Sequence, residues 1–108
     1  MKDLKKKKLQ AKGWKIGSAA DFLGLTEEEA EYIRMKFALA RLLAIKRHLK
    51  RYTQTDLANR IGSSQSRVAK LEQGDSSVSI DLLVHSLFAL GVTRKELAKA
   101  IGSPNLPA

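Results

Sequence analysis

From residue 27 to about residue 51, apolar positions recur at helical spacing with no proline or glycine between them. Ala30, Ile33, Phe37, Leu42, Ile45 and Leu49 trace a stripe, which predicts one long first helix. Its start is marked by Thr26-Glu27-Glu28-Glu29, a capping box in which the threonine accepts from a backbone amide and Glu29 reaches back. Thr53, with Asp56 in the first turn, opens a second helix over 54–61. Gly62 ends it as a left-handed cap. Ser63 or Ser64 caps a third helix, which runs to about Gln73 and stops at Gly74. After a loop over 75–78, Ser79 caps a fourth helix over 80–90 that ends at Gly91. Thr93-Arg94-Lys95-Glu96 is a further capping box, opening a fifth helix that closes near Ile101, with Gly102 and Pro104 beyond. No alternating strand pattern interrupts this order. The expected fold is all-α: five helices with short connections, a long first helix and an N-terminal arm.

The ends of the chain differ in texture. Residues 1–12, with KKKK at 5–8, hold too few apolar groups to fold alone and read as a basic flexible tail. Residues 13–25 mix Trp14, Ile16, Phe22, Leu23 and Leu25 with three glycines, which suggests an extended arm ending in a short helical turn. Residues 26–102 form the expected folded domain and 103–108 a C-terminal tail.

Charge adds a second layer. The formal net charge is +9, but its placement matters more. Residues 1–15 carry seven lysines against Asp3, and 21–31 hold five acids and no base. Residues 34–70 then hold ten bases and a single acid, Asp56. A basic block that coincides with a helical motif is the footprint of a phosphate-binding surface. With no cysteine, there is neither a disulfide framework nor a thiolate metal site, and a cytoplasmic location is expected. No apolar run reaches the ~18 residues a membrane helix needs. His48 and His85 have no acid or nucleophile at triad spacing and make no zinc site, and no glycine-rich phosphate loop occurs. The expectation is therefore a protein that is not an enzyme and uses no cofactor or metal.

The stretch 53–74, TQTDLANRIGSSQSRVAKLEQG, concentrates the candidate chemistry. On helix two, Leu57, Ala58 and Ile61 face inward, and the small Ala58 lets helix three approach. On helix three, Val68 and Leu71 define a buried side, near Ser64 and Arg67. The opposite side carries Ser66, Ala69, Lys70 and Gln73, flanked by Gln65. It holds no acid and no large apolar group, a surface suited to base edges in the major groove.

Gln54, Ala58, Gly62, Gln65-Ser66, Val68 and Leu71-Glu72-Gln73-Gly74 resemble the helix-turn-helix of Cro and lambda repressor-type proteins, the XRE family. The likeness spans roughly residues 47–101. It implies a sequence-specific repressor of double-stranded DNA. Carried over position by position, it makes Gln65, Ser66 and Lys70 base contacts and Gln54, Ser64 and Arg67 phosphate contacts. Gln54 would also brace Gln65, whose amide is able to bond adenine in bidentate fashion. Glu72 would pair with Arg47 in a structural ion pair. Such domains bind palindromes as dimers, and helix four is apolar on more than one side, so a homodimer is expected through helices four and five or the arm. The segment from Trp14 to Lys46 is similar to that of HigA-like antitoxins, which repress their own operon and neutralise a small basic RelE-type toxin. The alternatives are a stand-alone regulator of the same fold without a toxin, or an interaction module that does not read DNA.

Overall fold

The computed structural model describes residues 24–102; the basic tail, the arm up to residue 23 with Trp14, and residues 103–108 lie outside it. Five α-helices follow in order: α1 (Glu27–Leu49), α2 (Gln54–Ile61), α3 (Gln65–Gln73), α4 (Ile80–Ala89) and α5 (Arg94–Gly102). Among the described residues there is no strand, so the fold is all-α.

The chain divides into two compact units, 1–34 and 35–108. In the described part of the first, Thr26 and Glu29 exchange the two bonds of a capping box, at 3.0 and 3.1 Å. Glu27, Glu28 and Glu29 occupy the first turn of α1, at the positive end of its dipole. Arg34 and Glu31 form an ion pair one turn apart.

The second unit holds the core. Leu39, Ala40 and Leu43 of α1 meet Leu57 and Ala58 of α2, Val68 and Leu71 of α3, and Leu83 and Leu87 of α4. Val78, Leu90 and Val92, all in connections, close the cluster. Beyond residue 35 the expected stripe on α1 is thus displaced. Leu39 and Leu43 are fully buried, Leu42 and Ile45 only half so, and Leu49 is 71% exposed. Apolar residues lie on several sides of α1, so periodicity alone does not single out the packed face. That face runs Leu39, Leu43, Arg47 at four-residue steps, and its last member is a buried cation.

α1 also ends earlier than residue 51. Arg51 N–H donates to His48 O at 3.0 Å and Tyr52 N–H reaches back to Arg47 O at 3.1 Å. These bonds satisfy carbonyls that would otherwise be orphaned at the helix end. The remaining boundaries agree with the capping residues. Thr53 and Asp56 form a complete capping box on α2, Ser79 caps α4, and Thr93 and Glu96 box the start of α5. Lys46 of α1 and Glu96 of α5 form an ion pair, tying the end of α1 to the last helix.

Candidate nucleic-acid interface

α2 and α3 form a two-helix unit joined by three residues. Gly62 adopts φ 65°, ψ 41°, the left-handed conformation that lets α2 stop and the chain turn within one residue. Ser64 is the cap of α3: its hydroxyl accepts from Arg67 N–H at 3.2 Å. Leu57, Ala58, Val68 and Leu71 bury the facing sides of both helices, with Ile61 half-buried at the edge.

What remains outward on α3 is polar. Gln65, Ser66, Arg67, Lys70 and Gln73 are exposed, as is Ser64 before them. The buried side excludes both Ser64 and Arg67: Ser64 is the cap, with extended backbone at φ −106°, ψ 156°, and so stands before the helix, while Arg67 falls about 40° beyond Leu71 at 100° per residue. Ala69 is half-buried instead of lying on the outer face. An open cleft of about 300 Å³ runs beside the start of α3, lined by Ser64, Ser66, Arg67, Lys70 and Ser77. Two cations and three hydroxyls, with no acid among them, make a surface that accepts anions. Ser77, from the α3–α4 connection, had no periodic or motif signal in the sequence. Its placement follows from an Asx turn, in which Ser77 N–H donates to Asp75 Oδ1 at 2.8 Å. That hydrogen-bonded contact with Ser77 holds the Asp75 carboxyl below its ordinary range.

Behind this face lies a chain of hydrogen bonds through four side chains. Arg47 Nε donates to Glu72 Oε2 and Arg47 Nη2 to Glu72 Oε1, the latter at 3.0 Å, a bidentate pair. The two side chains are 9% and 8% exposed. Arg47 Nη1 donates to Tyr52 O at 2.7 Å, so the guanidinium also fastens the α1–α2 junction. Gln54 Nε2 donates to Glu72 Oε1 at 3.2 Å, and Gln65 Nε2 donates to Gln54 Oε1 at 2.6 Å.

The direction of this chain has a physical cause. An ionised carboxylate only accepts hydrogen bonds, so Glu72 fixes which end of the Gln54 amide faces it. The Gln54 oxygen is then left facing Gln65, which must answer with its NH₂ group. One N–H of Gln65 is thereby used, while its second N–H and its carbonyl oxygen have no partner among the described residues and lie on the exposed face. A donor and an acceptor side by side on a planar amide match the N7 and N6 edge of adenine. The buried pair thus sets the orientation of an exposed amide through the Glu72–Gln54 and Gln54–Gln65 bonds.

Among the described residues the remaining titratable groups offer no comparable constellation. His48 Nδ1 lies 2.7 Å from Ala44 O, and His85 lies 3.7 Å from Asp81 on an exposed stretch of α4. Among the described residues no group of three or more His, Cys, Asp or Glu could hold a metal ion. No helix among them is long and apolar enough to cross a membrane.

The sequence model of a family described as a helix-turn-helix domain matches residues 19–95. No curated protein matches the chain, and no solved structure does.

Proposed function

Because the chain belongs to the helix-turn-helix domain family, matched over more than half its length, we propose that it is a sequence-specific regulator of double-stranded DNA. The first turns of α3 enter the major groove, and Gln65 reads a base edge. The observation that carries this reading is the Glu72–Gln54–Gln65 relay, which presents a pre-oriented amide on an exposed face free of acids. Gln65, Ser66 and Lys70 contact bases. Ser64, Arg67 and Gln54 lie against phosphates and set the register. The mode of action is repression by occupancy, and the reading assigns the chain no catalytic step, cofactor or metal.

A palindromic operator bound by a homodimer belongs to the same reading. Phe88 on α4 and Ile101 on α5 are 44% and 42% exposed, large apolar side chains available for a second copy. The resemblance of residues 14–46 to HigA-like antitoxins supports a further role as an autorepressor that binds a small basic RelE-type toxin. A cytoplasmic, DNA-associated location follows. The plain regulator, without a toxin, is the reading that survives if no small basic protein encoded beside this one co-purifies with it. DNA recognition itself is tested by selection from a pool of random duplexes. Enrichment of one palindromic sequence is expected. Equal retention of every sequence would leave an interaction module that does not read DNA.

A further inference from the structure

Four glycines among the described residues adopt positive φ: Gly24, Gly62, Gly74 and Gly91. The one other residue there is Arg51, at φ 60°. It stands at the junction of α1 and α2, a helix end where glycine is the unstrained choice. A non-glycine residue in this region persists only when its surroundings dictate the conformation. They do so here. Arg51 N–H is bound to His48 O, Tyr52 N–H to Arg47 O, and Tyr52 O to the buried Arg47 guanidinium. The Tyr52 ring is covered by Arg60, whose guanidinium carbon sits 5.3 Å from the ring centre.

The side chain gains nothing visible within the fold in return. Arg51 is exposed, and among the described residues no acid pairs with it. The two acids of the motif are already engaged: Glu72 by Arg47, and Asp56 by Thr53 N–H at 2.8 Å. Arg51 is therefore a long cation on a rigid backbone, three residues before Gln54, whose amide is bonded to the exposed Gln65.

We propose that Arg51 is a DNA phosphate contact at the flank of α2, for which the left-handed backbone is the cost. This inference rests on the DNA-binding reading above. Arginine suits the task, since its planar fork binds two phosphate oxygens at once.

The test is Arg51→Gly and Arg51→Lys in the full chain, each measured for melting temperature and for affinity to a short mixed-sequence duplex across a salt series. Arg51→Gly relieves the strain, so its melting temperature rises by about 2–6 °C. Its affinity at moderate salt falls about threefold to tenfold, and the slope of log K against log salt becomes shallower by about one unit. Arg51→Lys keeps the charge and a slope near that of the wild type. If the wild type binds with a steep salt slope and Arg51→Gly keeps it, the inference is overturned. It is equally overturned if Arg51→Gly melts lower and loses affinity at unchanged slope, which is the signature of a purely structural arginine. If the wild type shows no salt-dependent binding to any duplex, the DNA-binding reading itself fails, and this inference with it.

Discussion

Replacing Glu72 with alanine isolates the buried pair on which the recognition surface rests. The carboxylate accepts from Arg47 Nε, Arg47 Nη2 and Gln54 Nε2, and alanine removes all three bonds. The Arg47 side chain, 9% exposed beside Glu72, then keeps among the described residues only its bond to Tyr52 O. A guanidinium held out of water without its counter-charge is costly, and removing one partner of such a pair costs about 3 kcal/mol or more. Against a total stability of roughly 5–15 kcal/mol for a domain this size, that is a large fraction. The melting temperature should drop by about 10–20 °C, measured by circular dichroism or calorimetry. The double variant Arg47→Met with Glu72→Leu should recover most of the loss, because no charge is then buried alone. Thermal stability of Glu72→Ala within about 1 kcal/mol of the wild type would mean that Arg47 does not depend on Glu72 for its place in the fold.

Two further outcomes follow from the backbone and the caps. A Cβ on Gly74 would lie 2.5 Å from Phe37 Cδ1 at φ 65°, whereas one on Gly62, at the same φ, meets nothing within 4 Å. Gly62→Ala should therefore cost about 1 kcal/mol, from conformation alone, and Gly74→Ala measurably more, read as the difference between their melting temperatures. The capping carboxylates set the acid limit. The Thr53 backbone N–H holds Asp56 below its ordinary range, as the Thr26 N–H does Glu29 and the Lys46 ammonium, with Thr93, does Glu96. A depressed folded pKa means stability present above the unfolded value and lost as pH falls through the folded one. The melting temperature should accordingly hold through neutral pH and decline below about pH 4.5, and Asp56→Asn should flatten that decline while starting lower.

Much of this fold was legible because its boundaries are written in single residues. Thr26, Thr53, Ser79 and Thr93 each cap a helix through their own hydroxyl, and Gly62 makes a turn that other residues resist. Local chemistry of that kind needs no knowledge of the tertiary structure. The packed face of α1 was not legible in the same way. Leu42, Leu43, Ile45 and Leu49 all fit a helical period, and only the neighbours α2, α3 and α4 select Leu39 and Leu43. Arg51 carried no signal because its conformation comes from bonds made by Arg47, His48 and Tyr52, not from its own preference. Ser77 reaches the cleft beside α3 through a loop with no periodicity at all. The outer face of α3 was visible as a pattern, but the order in which Glu72, Gln54 and Gln65 pass a hydrogen-bond direction to the surface exists only in three dimensions.

In this protein α3 is proposed to read bases through an oriented Gln65. This is tested most directly by selecting preferred sequences from random duplexes for the wild type, Gln65→Ala and Arg67→Ala side by side. Gln65→Ala should relax preference at one base pair per half-site, a loss of about 1–3 kcal/mol of discrimination there. Arg67→Ala should weaken all sequences alike and leave the preference intact. An unchanged sequence preference in Gln65→Ala would mean that α3 does not read bases through Gln65.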